Sequence, residues 1–364
     1  MTDQLVLANV ALTVSNSDYL SSAGLSGGPA DSSLKAKSID FRFVPDTVEV
    51  LGLEGQAYPA HTLRMFSDDA AKVLREFVFT RPVTLSGGGM FPMGDDLKLM
   101  KGRIRFDASA GRVRYKILGT TLDLGRTKGE VLISPQWVVV DKLQGTIWEG
   151  SFTGRVLAQI DGGDALNGSF VLQDMNLTAI GKSYGEKMEK ATVHGAIEFS
   201  SKGGNMNSIQ AKGEAALVHG NLVEIPIFGF LGEALANYIP GLGHLINYKL
   251  TRADCDFSIE KGYIRTNNFV ATGSNLSLKG GGWIRLADLQ VNSDFQMGFR
   301  GIPQLLTSPV FLLARGLFQV RGRGPLNNVN WSFAPFSGGK APAPPAPPAA
   351  RPATTRWARR SSPC

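Results

Sequence analysis

Gly102-Arg-Ile-Arg-Phe-Asp107 and, beyond an Ala-Gly turn, Arg112-Val-Arg-Tyr-Lys-Ile-Leu118 decide the fold. Charged and apolar residues alternate strictly in both runs. On an extended chain every second side chain leaves the same side, so Ile104, Phe106, Val113 and Tyr115 share one face and the arginines and lysines the other. A helix would scatter the same residues around its axis.

The pattern continues in both directions. Upstream lie Leu5-Val-Leu-Ala-Asn-Val-Ala-Leu-Thr-Val14 and Ser38-Ile-Asp-Phe-Arg-Phe-Val44. Downstream come Gly129-Glu-Val-Leu-Ile-Ser134, Trp137-Val-Val-Val140, Gly145-Thr-Ile-Trp-Glu-Gly-Ser-Phe-Thr-Gly-Arg-Val156, Gly168-Ser-Phe-Val-Leu172, Val193-His-Gly-Ala-Ile-Glu-Phe199 and Ile209-Gln-Ala-Lys-Gly-Glu-Ala-Ala-Leu-Val218. Further runs follow Asp254 and end in Val329-Asn-Trp-Ser-Phe333. A strand and turn every roughly 8–12 residues predicts an antiparallel meander, and the 43 glycines, almost all outside helical patterns, mark a turn-rich β protein. A long sheet with one apolar side must curl on itself, pack on helices or hold an apolar ligand.

Few helices are on offer. Pro59 to Phe79 carries Leu63, Phe66, Ala70, Val73, Leu74 and Phe77 at helical spacing. Apolar helical segments are predicted near 226–247 and 302–314, each interrupted by proline. The chain therefore divides into a β-rich segment over 1–158 with one helix near 59–79, a β region over 159–336 with the two apolar helical segments, and a disordered Ala/Pro-rich basic tail over 337–364.

Charge excludes one class of partner. The net charge is +7, but Lys340, Arg351, Arg356, Arg359 and Arg360 all sit in the acid-free tail. Without them the body is nearly neutral and has no electrostatic footprint for nucleic acid. The tail is read as solvated, with anionic lipid or cell-wall polymer as the alternative. The opening residues lack the basic and apolar regions of a signal peptide, and a strand pattern so near Met1 leads us to expect a piece of something longer. Ile225 to Tyr248 contains two prolines and four glycines, which suits a buried or interfacial helix better than a membrane span.

Side chains for catalysis are scattered. His61, His194, His219 and His244 lie on separate segments without metal-ligand spacing. Cys255 has no nearby histidine in sequence, and Cys255 with Cys364 forms no metal motif; no disulfide is expected. Ser86-Gly-Gly-Gly89 lacks the lysine and following helix of a phosphate loop and is read as a turn, as is Gly280-Gly-Gly282. Asp68-Asp69 and Asp95-Asp96 are read as solvated pairs, and Trp148, Trp283 and Trp331 as sheet-core residues. The expectation is a non-enzymatic protein with no catalytic, metal or cofactor residues.

The C-terminal third carries a resemblance. Gly213-Glu-Ala-Ala-Leu-Val-His-Gly-Asn-Leu-Val-Glu-Ile-Pro-Ile-Phe-Gly-Phe-Leu231 resembles a block of AsmA-like C-terminal regions. So do Ala253-Asp-Cys-Asp-Phe-Ser-Ile-Glu-Lys-Gly-Tyr-Ile-Arg-Thr-Asn-Asn-Phe269, the strand pair Leu276-Ser-Leu-Lys-Gly-Gly-Gly-Trp-Ile-Arg-Leu286, and Ala314 to Trp331. The match covers about residues 160–335. Resemblance to the AsmA/TamB-like envelope proteins implies a mainly β fold: an elongated, curved antiparallel sheet forming a groove or half-barrel, with a few short capping helices. It also implies a periplasmic protein held at the inner membrane by an N-terminal anchor, here lacking or supplied by a partner chain. No catalytic residue carries over.

Both readings lead to the same expectation: phospholipid or another acyl-chain lipid is bound or conducted along a hydrophobic groove between inner and outer membranes. The groove candidates are Phe170, Leu172, Ile197, Phe199, Leu217, Phe257, Ile259, Leu276, Leu278 and Ile284. The alternative is an assembly factor that takes outer-membrane protein strands on its open edges.

Overall fold

The computed structural model describes residues 4–59, 77–93, 97–117, 120–160, 165–202, 208–220, 250–299 and 317–335, apart from residues 27, 30, 186, 189, 275 and 327. Alternating sequence becomes strand throughout. The first ten strands are β1 (Gln4–Ser15), β2 (Asp31–Phe43), β3 (Asp46–Ala57), β4 (Phe77–Phe79), β5 (Val83–Pro92), β6 (Lys101–Asp107), β7 (Arg112–Ile117), β8 (Thr120–Ile133), β9 (Trp137–Ile147) and β10 (Gly150–Gln159). There follow β11 (Ala165–Asn176), β12 (Thr192–Lys202), β13 (Gln210–Val218), β14 (Leu250–Glu260), β15 (Tyr263–Gly273), β16 (Leu276–Arg285), β17 (Gln290–Phe299), β18 (Leu317–Pro325) and β19 (Asn330–Pro335). All belong to one antiparallel sheet of 19 strands that is curved and not closed. The predicted curved antiparallel sheet with few helices is the observed fold.

The path is simpler than the strand count suggests. β6 and β7 do not pair with each other; both run antiparallel to β8, with Asp107 opposite Lys128 and Arg112 opposite Gly125. They are one long strand stepped aside at residues 108–111. The Ala-Gly turn therefore interrupts a strand and does not reverse the chain. β4 and β5 behave likewise, β4 pairing with β7 and β5 with β6. With these two joins, each strand pairs only with its neighbours in sequence, from β1–β2 to β18–β19. β10, which contains residue 158, pairs on both sides, so the two halves read from the sequence share one sheet.

Tight turns keep neighbours in register. β9 and β10 are joined by Trp148-Glu149 alone, with φ of 48° and 65°, and β14 and β15 by Lys261-Gly262, with φ of 51° and 76°. Two successive left-handed residues match the natural twist of a hairpin.

The described helices are α1 (Ser17–Ser22) and α2 (Leu177–Ser183), with a single 3₁₀ turn at Leu97–Leu99. A few short capping helices were expected, but neither of these two positions was, because six or seven residues are too few to display a 3.6-residue period. α2 did leave one local sign: Asn176 caps it, its side-chain oxygen accepting from the Thr178 amide at 2.9 Å. The helix expected near 59–79 ends differently, since Phe77–Phe79 is strand β4, paired with Val113 to Tyr115. Residues 60–76, the segments near 226–247 and 302–314, and the tail over 337–364 lie outside the described residues.

Both short helices pack over the apolar side. The Tyr19 hydroxyl of α1 donates to the Phe79 carbonyl at 3.2 Å and accepts from the Phe79 amide at 2.9 Å, reaching β4 from the end of β1. Burial raises the pKa of this hydroxyl, which keeps its proton for that bond. Ile180 of α2, which follows β11, packs beside Leu122 and Leu124 of β8. Each helix spans strands three ranks apart, about 14 Å on a flat sheet. Elements this small make such chords on a concave surface, so the apolar side faces inward at this rim.

Candidate functional site

Register assigns each side chain to a face, because residues directly opposite in a ladder point the same way. One row crosses eight strands: Val156, Gly168, Phe199, Ala211, Ile259, Ile264, Ile284 and Val291 stand opposite one another from β10 to β17. A second row holds Phe170, Ile197, Gly213 and Phe257. A third, six residues further along β12, about 20 Å away, holds Val193, Leu217, Ala253, Ala271, Leu278 and Met297. All three rows lie on the apolar face.

Their surroundings differ. In the third row Leu278 is 1% exposed and Met297 and Ala271 are fully buried, and together with Leu250, Leu276 and Phe295 they form the largest packed cluster. Two further clusters, around Tyr58 with Val83 and around Ile147 with Phe152, share Leu124 at their border. Together they close one rim of the sheet, the rim carrying α1 and α2. In the first two rows the side chains are mostly half-buried.

The ten groove candidates therefore separate. Leu217, Leu276 and Leu278 are core residues of the closed rim. Phe170 and Leu172 sit at its border, packed against the Ile147–Phe152 cluster. Ile197, Phe199, Phe257, Ile259 and Ile284 lie beyond it, half-buried on the apolar face toward the open rim. All ten share a face, and five of them line its partly exposed portion.

A feature absent from the sequence reading shapes this lining. A Cβ on Gly168 would lie 2.5 Å from the Phe199 ring, one on Gly154 2.4 Å from the Phe170 ring, and one on Gly213 2.5 Å from the Phe257 ring. Each aromatic ring lies flat over the glycine of the adjoining strand. The rings of Phe170 and Phe199 are parallel, with centroids 6.1 Å apart. Aromatic cover over glycine gives a smooth, shallow apolar floor. Gly168 and Phe170 are visibly two apart on one face, but only the register tells which ring covers which glycine.

The opposite face is polar and ion-paired. Glu130, buried, accepts from Arg103 and Arg105 and lies 3.5 Å from the Lys142 ammonium. The Arg103 hydrogen bonds, reinforced by Arg105, hold its carboxyl down to about 2 despite desolvation. This face also has an open hollow of about 680 Å³ where bulges bend β14 and β15, lined by acids and bases together, among them Glu198, Glu214, Asp256, Lys212 and Arg265.

The remaining candidates fall apart in space. Trp331 stacks on Phe295 within the core, as expected. Trp148 occupies a hairpin turn and donates to Ser183 at 3.0 Å. Trp283 lies on the polar face, edge-on to Tyr263 at 5.4 Å. The His194 Nδ1 accepts from the Asp174 amide at 3.3 Å. Cys255 is on the apolar face, and burial first, then Asp256 and Asp254, push its thiol pKa up. Among the described residues no three metal-type ligands come together.

Fold and face together define an open, one-sided β-trough whose apolar floor is packed shut at one rim. No family model, curated protein or solved structure matches the chain.

Proposed function

We propose that the partly exposed portion of the apolar face shelters the acyl chains of phospholipid, and that the protein is a non-enzymatic binder or conductor of lipid in the periplasm, associated with the inner membrane. One observation supports this above all. The rows containing Ile197, Phe257, Ile259 and Ile284 are apolar and mostly half-buried, whereas the row containing Leu278 on the same face is mostly buried. Covering such a surface with hydrocarbon gains about 0.8 kcal/mol per buried methylene. Ten methylenes would contribute on the order of 8 kcal/mol, the scale of micromolar binding before ordering costs. The flat Gly–Phe lining favours movement along the floor, because it offers no polar group to hold one lipid in one place. The envelope location rests on the resemblance of residues 160–335 to AsmA-like regions.

Native mass spectrometry of gently purified protein is the test. Phospholipid adducts that exchange with added vesicles are expected; protein that stays lipid-free in both preparations refutes the proposal.

A further inference from the structure

We infer that the open rim of the trough dips into the surface of a lipid bilayer, so that acyl chains pass sideways between membrane and floor. The inference rests on the lipid reading above. Its support lies in where large apolar side chains meet water. Among the described residues beyond β1, Phe43, Val44, Met93, Leu166 and Leu289 are 55%, 75%, 40%, 38% and 43% exposed.

Register puts all five on one rim. β2 turns into β3 there, with Phe43 opposite Asp46 and Val44 in the turn. Thr47 stands opposite Pro92, so Met93 lies beside that turn, its amide donating to the Asp46 carbonyl at 3.0 Å. Met90 faces Lys101 and Gly102 faces Ile133, which carries the same rim across β6 to the end of β8. Further on, Gln159 opposes Trp137 and Ala158 opposes Leu166. Leu289 lies in the turn between β16 and β17, where Arg285 opposes Gln290. The closed rim exposes only Tyr184 of this class among the described residues, and Leu51 and Val171 stand within strands on the polar face. Turns are ordinarily built from Gly, Asn, Asp and Ser, so apolar tips gathered on one rim are a departure.

The distribution of the tips favours a bilayer as the occupant. They run from the β2–β3 turn to the β16–β17 turn, on the order of 50 Å along the sheet at about 4.8 Å per strand. A folded partner would have to match separate points over that length, whereas fluid lipid closes round each one. Charge agrees, because two of the rim's acids are neutralised locally: Glu260 lies 3.6 Å from Lys261 and Asp288 2.6 Å from Arg285. Trp137, half-buried at the start of β9, is the residue type that settles at a membrane interface. The tips also lead on to the floor. Leu166 is two residues from Gly168 on one face, and Phe43 two from Phe41.

Single cysteines V44C, L166C and L289C, each in a C255S/C364S background and carrying a polarity-sensitive fluorophore, are compared with Y184C on the closed rim. With phosphatidylcholine vesicles the three rim labels should shift to the blue and be quenched by brominated acyl chains, and the Y184C label should do neither. F43S/V44S/L289S changes exposed positions outside the packed clusters. It should keep the native circular dichroism spectrum and lower vesicle partitioning at least about tenfold, because each tip returns to water. Rim labels that respond no more than Y184C overturn the inference. So do rim labels that shift on raising protein concentration without vesicles, which would assign the rim to a second copy. Protein that holds phospholipid in native mass spectrometry while its rim labels stay silent loses this inference and keeps the lipid reading. Responding labels on protein that stays lipid-free refute the lipid reading and leave the rim a membrane contact.

Discussion

Truncating one side chain in each of two rows of the apolar face separates a packed core from a ligand surface. Leu278, 1% exposed among Met297, Ala271 and Phe295, has no route to solvent, so L278A should leave a cavity and cost about 2–5 kcal/mol. Ile259 lies on the same face toward the open rim and is already half-buried. I259A removes contacts that water partly replaces and leaves no closed void, so about 1 kcal/mol is expected. Urea unfolding followed by tryptophan fluorescence reads these costs as shifts in midpoint at constant slope. Displacement of a fluorescent fatty acid should rank the variants in the opposite order. I259A should weaken binding about threefold, corresponding to roughly 0.7 kcal/mol, while folded L278A binds as the native protein does. Equal stability losses with unchanged lipid binding in I259A would place Ile259 in a sealed interior and refute the trough.

Two further outcomes follow from the same geometry. G168V puts a side chain where the Phe199 ring lies, 2.5 Å from its edge, so the ring must lift from the floor; a loss of about 1–3 kcal/mol and reduced lipid capacity by native mass spectrometry are expected, and G168V/F199A should recover part of the stability. Glu130 has its carboxyl lowered from 4.5 to about 2, so its ion pairs stabilise the fold fully above the ordinary value and are lost as pH falls toward 2. The melting temperature of the native protein should therefore drop between about pH 5 and 2 more steeply than that of E130Q, and parallel curves would contradict this.

Much of the fold was legible because alternation is a local property. Ile104 and Phe106, or Ile197 and Phe199, declare their shared face within a few residues. What the alternation could not convey was depth along the strand. Gly280-Gly-Gly282, read as a turn, is extended inside β16, as Ser86-Gly-Gly-Gly89 is inside β5. Leu278 and Ile284 therefore share one face of one strand, yet one is sealed into the closed rim and the other sits on the open floor. Packing from Leu250 of β14 and from Phe295 and Met297 of β17 decides that difference, and no local pattern around Leu278 announces those neighbours. The same limit applies to the Ala-Gly step after Asp107. A turn was apparent there, but a reversal and a sidestep have the same local composition, and only the shared partner β8 distinguishes them. The Glu130 cluster was missed because its cations come from two other strands, β6 and β9, whose register against β8 the sequence does not print.

Because each rank of this sheet hydrogen-bonds only to the one before and the one after, the described chain is close to a one-dimensional polymer of hairpins. Order can spread by zipping from any formed pair, and fraying can begin at either terminus while the middle persists. Lineages could lengthen or shorten such a molecule by whole hairpins, changing the span it bridges without redesigning its interior.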